Sequence, residues 1–247
     1  MKRYWKKSRI ITIVMLLIIT VVTTEVHAMH IMEGFLPKEY ALFWWVLYMP
    51  FLVMGMMKLK KNLEKGHDNK LLIGLVAAFT FCISALKIPS VVGSCSHPTG
   101  IGLGAIIFGP LMMAFIAAIV LLLQALILSH GGITTLGANG FSMGVIGPFA
   151  AFFAYKLALK AGLSKKVAIF IAAFSSNFLT YVMTSIQLGT AFSGQEGVVL
   201  STLKYLSIFS LTQLPIAILE GFLTVLIFNL LRENKEQIRL VGMEEML

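Results

Sequence analysis

The residues of this chain best suited to chemistry are three histidines and the methionine that precedes the first of them. His30 follows Met29 directly, His97 stands in Ser94-Cys95-Ser96-His97-Pro98-Thr99-Gly100, and His130 in Ser129-His130-Gly131-Gly132. Were a peptidase to release Met29 as a new terminus, its amine, the His30 amide nitrogen and His30 Nδ1 would close on one ion. The two chelate rings would have five and six members. Such an in-plane nitrogen set suits late divalent metals that accept tetragonal geometry, nickel and copper foremost and cobalt with them. Magnesium and calcium ask for oxygen. One place in the plane stays open, and His97 is the candidate for it. Pro98 biases His97 towards an extended backbone, and Gly93, Gly100, Gly102 and Gly104 allow the chain to come close. Because amine and amide must lose protons, binding should weaken as pH falls. By spacing alone, interfacial polar residues remain the commoner explanation of His30 and His97.

Four further residues are candidates to brace such a site from behind. Cys95 lies two residues before His97, but a Cys-x-His ligand pair belongs to tetrahedral chemistry, so loop packing suits it better. His130 would orient the ligands or gate its loop, and a plain hydrogen-bonding role serves as well. Asn139 would act in the same way. Glu33 would offset metal charge, support the ligands or cap the first helix. Glu220 is unusual, because it lies inside an apolar block where a carboxylate is costly and faces a cavity or a polar partner. Gln213 and Pro215 beside it point to a kinked, polar-lined stretch, for helix packing or contact with another subunit.

The elements that must position these residues follow from composition. Of the 247 residues, 58% are hydrophobic and 13% charged, against about 45–50% and about 25% in a soluble domain. Several apolar blocks reach the roughly 20 residues that a helix needs to cross a bilayer. Without water the backbone must satisfy itself, which selects helices over open sheets. The fold class is therefore an all-α membrane protein set in a lipid bilayer. The net charge of +9 sits in short segments between apolar blocks and reads as topology, not as a nucleic-acid surface. Two cysteines, Cys82 and Cys95, make no disulfide framework.

Residues 1–28 form an address: a basic start, an apolar stretch at 10–22, and small Val26 and Ala28 placed for cleavage by signal peptidase. The expected organisation is a cleaved signal peptide at 1–28 and a single polytopic domain at 29–247. Apolar blocks lie near 40–57, 71–88, 101–128, 140–159, 167–188 and 203–231. The lysine-rich connections at 58–70 and 156–166 belong on the cytoplasmic side. The block 101–128 must then begin and end outside, so it breaks or turns back, and Gly109-Pro110 is the natural place. About six to seven transmembrane helices result. The mature N-terminus and the loops holding His97 and His130 fall outside, and the C-terminus inside, in a bacterial or archaeal cell membrane.

Met29-His30-Ile31-Met32-Glu33-Gly34-Phe35-Leu36-Pro37 closely resembles the N-terminal signature of CbiM-type cobalt transport proteins, the relatives of the NikM nickel proteins. The 94–100 loop, the run from Gly102-Leu103-Gly104 to Gly109-Pro110, and the stretch from Gln124 to Asn139 look like that family too. The resemblance implies a substrate-capture subunit of an energy-coupling-factor importer, taking up Co2+ for cobalamin synthesis. It implies Met29, His30 and His97 as metal ligands. Its partners would be a transmembrane coupling subunit, ATPase subunits and a small accessory membrane protein. The chain has no phosphate-binding Gly-Lys-Ser/Thr loop of its own and reads as a transporter subunit, not an enzyme, with no catalytic cofactor. The planar chelate favours nickel on chemical grounds, whereas the Ser-Cys-Ser-His-Pro-Thr-Gly loop looks more like the cobalt branch. A membrane metalloenzyme or a metal sensor built on the same ligands stands further off, since the outer loops offer no base or nucleophile and no signalling domain is attached.

Overall fold

The computed structural model describes residues 27–28, 30–64, 67–89 and 94–233. Met29 and most of the expected signal segment lie outside the described residues, as does the side chain of Cys95. Among the described residues, seven helices carry the fold. Helix α1 (Lys38–Leu63) starts immediately after Pro37 and runs six residues beyond its apolar block, because Lys60 and Lys61 in its last turn suit the negative end of the helix dipole. Helix α2 (His67–Ser84) follows. The next apolar block is divided at Gly109 into α3 (Ile101–Phe108) and α4 (Pro110–Leu128). Gly109 has φ 83°, which ends α3 without a Cβ penalty, and Pro110 opens α4 where its missing N–H costs nothing.

Helix α5 (Leu136–Lys160) contains a π-helical stretch at Phe141–Ile146. Helices α6 (Lys165–Ala191) and α7 (Val198–Glu233) form the most extensively packed pair, joined by a short 3-10 turn at Gly194–Glu196. Pro215 is accommodated within α7 without ending the helix. Among the described residues, five helices (α1, α4, α5, α6 and α7) are long and apolar enough to cross a membrane, and α2 offers a shorter apolar stretch at Asn69–Ser84. With about 1.5 Å per residue, α3 covers only about 12 Å and cannot cross. The protein is thus an all-α membrane protein with one broken segment at Gly109-Pro110.

Small residues decide how closely the helices approach. A Cβ on Gly102 of α3 would stand 3.0 Å from the Ala173 Cα of α6, and Ala168, Ala172 and Ala173 are all buried. Close backbone approach of this kind supplies packing where lipid offers no hydrophobic drive. As a result α3 is almost wholly enclosed, with seven of its eight residues buried. Large apolar side chains such as Leu126, Ile127, Leu157, Leu219 and Phe222 point outwards, as a lipid-facing surface requires. A small sheet closes one end: β1 (His27–Ala28) pairs in parallel with β3 (Ser94–Ser96), and β2 (Ile88–Pro89) pairs antiparallel on its other edge.

Candidate metal centre

Each of the three histidines comes from a different non-helical segment at the end of the bundle that carries the sheet. His30 precedes α1, His97 lies between β3 and α3, and His130 lies between α4 and α5. His30 is 2% exposed, and His97 and His130 are fully buried. Their rings form a triangle with centroid separations of 4.5, 4.6 and 5.0 Å. One ring nitrogen from each lies within 4.8 Å of the other two. At that spacing a small inward shift would let the three hold one ion. His30 Nε2, His97 Nε2 and both nitrogens of His130 have no hydrogen-bond partner among the described residues. Buried polar nitrogens are normally satisfied, so unpaired ones in a cluster call for an explanation.

The tautomer of His97 is fixed by its neighbour. Its Nδ1 lies 2.8 Å from the Pro98 carbonyl oxygen, which can only accept. Nδ1 therefore carries the proton, and the lone pair of Nε2 faces the other two rings. Burial, and next the hydrogen bond to Pro98 acting in the opposite sense, bring His97 to a pKa of about 4. Burial, followed by the proximity of His97 and His130, holds His30 well below the ordinary histidine value. His130 is likewise lowered, first by burial and then by His97. All three imidazoles are thus neutral at pH 7 and able to donate lone pairs.

The short segment after His30 is held in place by groups from two later elements. Asn139 of α5 clasps the Ile31 peptide: its Oδ1 accepts the Ile31 N–H at 2.8 Å and its Nδ2 donates to the Ile31 carbonyl at 3.0 Å. The Thr135 hydroxyl donates to the same carbonyl at 2.6 Å. Glu33 does not cap α1. Its exposed carboxylate accepts the Thr134 N–H at 3.1 Å, strapping the N-terminal segment to the His130 loop, and this hydrogen bonding lowers its pKa. Two glycines make the strap possible. A Cβ on Gly132 would stand 2.5 Å from the Glu33 Cα, and one on Gly131 would press on the His30 Cβ at 3.3 Å.

His130, expected to brace the site from behind, has its ring in the same cluster as those of His30 and His97. Gln124, named in the sequence only as the start of a family-like stretch, was not among the candidate site residues. Fully buried in α4, it donates from Nε2 to the Ser84 hydroxyl at 2.7 Å, and its backbone carbonyl accepts the His130 N–H at 3.1 Å. Its carboxamide lies close enough to His30 to favour the charged imidazole, although its oxygen has no conventional hydrogen-bond partner among the described residues. A single amide in an otherwise apolar helix, one turn before a histidine loop, was the available signal. Cys95 contributes backbone pairing with Ala28 across the sheet.

A family model described as cobalt uptake substrate-specific transmembrane region matches residues 30–238. The cobalt transport protein CbiM of Listeria seeligeri is 50% identical over 235 residues, covering 95% of this chain and 96% of that protein. The corresponding protein of Salmonella typhimurium is 50% identical over 220 residues, covering 89% and 90%. Among solved structures, a truncated transition metal transporter shares 25% identity with a TM-score of 0.72, covering 83% of this chain and 99% of that one.

Proposed function

Given that this chain belongs to the CbiM family of cobalt uptake transmembrane proteins, we propose that His30, His97 and His130 capture the ion together with the amine and amide nitrogens of a processed Met29–His30 terminus. The observation that carries this reading is the triangle of buried imidazoles, one nitrogen of each lying within 4.8 Å of the other two. Amine, amide, His30 and His97 make a planar set of four, and His130 adds an imidazole beyond it. A fifth nitrogen favours cobalt(II) over nickel(II), whose preferred planar geometry is complete with four.

Processing after Ala28 supplies the amine and removes β1, leaving β3 with β2 as its only partner in the sheet. The end of the bundle that holds the histidines faces outwards, and the C-terminus faces the cytoplasm. Release of the ion is driven by the coupling and ATPase subunits of an energy-coupling-factor importer, with the small accessory membrane protein alongside. The delivered cobalt serves cobalamin synthesis.

N-terminal sequencing and cobalt content of the purified protein test this reading. A chain that begins Met-His and retains one cobalt ion, held much more weakly by His97→Ala, is the expected result. A chain that keeps Met1, or a His97→Ala variant that binds cobalt as tightly as the parent, overturns it.

A further inference from the structure

Glu220 is 1% exposed within α7 and receives four hydrogen bonds. Its Oε1 accepts from Gly100 N–H at 2.8 Å and from the Thr99 hydroxyl at 2.9 Å. Its Oε2 accepts from Thr99 N–H at 2.7 Å and from Asn177 Nδ2 at 2.5 Å. Two of these donors are backbone groups at the start of α3, where orphan N–H groups and the helix dipole favour an anion. The network continues towards His97. Asn177 Oδ1 accepts from Gln213 Nε2 at 2.5 Å, and Gln213 also donates to the His97 carbonyl at 3.1 Å. The Tyr181 hydroxyl donates to that carbonyl at 2.9 Å and accepts the His97 N–H at 3.1 Å.

Every contact of this network with the 97–100 loop falls on His97 itself or on the two residues after Pro98. A local Ser or Asp could cap α3 more cheaply than a carboxylate carried into the membrane from a helix 120 residues away. The carboxylate does something a local cap cannot, because it ties the loop to the α6–α7 pair.

We propose that Glu220 is a positioning residue for metal capture: from α7 it anchors Thr99 and Gly100 and, with Asn177, Gln213 and Tyr181, fixes the peptide from which the His97 ring reaches the ion. This rests on His97 being a ligand. Because the anchor belongs to α7, displacement of α7 along α6 moves His97 relative to His30 and His130, which are held by α4 and α5.

The test is a thermodynamic cycle of cobalt(II) titrations on the processed full-length protein in detergent, using the parent, Glu220→Gln, His97→Ala and the double variant. Glu220→Gln keeps the volume but turns an amide NH2 towards donors. It is expected to weaken binding by about 10–100-fold, the usual effect of removing a group that orients a ligand, and to alter the visible absorption of the bound ion. In the His97→Ala background the same change should have no further effect. Equal losses in both backgrounds, or none in the parent, overturn the proposal while leaving the ligand set intact. A His97→Ala variant with parental affinity overturns the ligand set itself. Should Glu220→Gln fail to fold, Gln213→Ala in the same cycle carries the same expectation and the same refutation.

Discussion

The chemistry of the site is settled by which nitrogens lack a proton. His97 is kept as a lone-pair donor by a carbonyl one residue away, and burial keeps all three rings neutral well below the pH at which a free histidine charges. A depressed folded-state pKa has a defined sign: the unfolded chain takes up protons first, near pH 6.5. Stability is therefore complete above about pH 6.5 and is lost as pH falls towards about 4. The apparent melting temperature of the metal-free protein should fall over that range, and His97→Gln should flatten the slope. An unchanged slope would mean that His97 carries its charge without penalty. At this scale the sequence was informative about His30 and His97, which lie in distinctive strings. It was silent about His130 as an equal member, since nothing local brings a residue 33 positions further on to the same point. Glu220 was visible as an anomaly, but its partners Thr99 and Gly100 are too distant in sequence for any spacing to reveal them.

At the scale of elements, the site depends on three segments being pressed together with almost no room. The Gly131-Gly132 pair lets the N-terminal strip lie against the His130 loop. Gly132→Ala should displace Glu33 and the strip with it, costing about 2 kcal/mol of overpacking, and cobalt binding should drop sharply in a titration. Gly74→Ala, in a helix with nothing near the added methyl, is the control and should bind as the parent does. The break at Gly109-Pro110 was legible because both residues are strong punctuation in an apolar run. The ends of α1 and α5 were not, because a lysine-rich turn and a polar outer loop continue a helix as readily as they interrupt a hydropathy pattern. Helix α3 illustrates the limit: hydropathy marks it as apolar, but only three-dimensional packing shows that it is enclosed and too short to cross.

For the molecule as a whole, the level of the histidine loop along the bundle matters. Tyr181, whose hydroxyl brackets the His97 peptide, stands ten residues before the end of α6, on the order of 15 Å below that end at 1.5 Å per residue. The whole of α6 is roughly 40 Å long by the same measure. An ion held by the proposed ligands at that level would lie about a third of the way along the helix. It would therefore sit inside the electric field of an energised membrane. Each charge carried through a full 100 mV is worth about 2.3 kcal/mol; above about pH 8, where the amine is already neutral, the proton shed by the His30 amide cancels one of the ion's two charges, and the remaining charge gains on the order of 0.8 kcal/mol through a third of that drop. With the histidine end outwards, cobalt capture at that pH by vesicles carrying an interior-negative voltage should tighten by about fourfold per 100 mV, and collapsing the voltage with an ionophore should abolish the gain. The cell's membrane potential would then contribute to scavenging a trace metal before any ATP is spent.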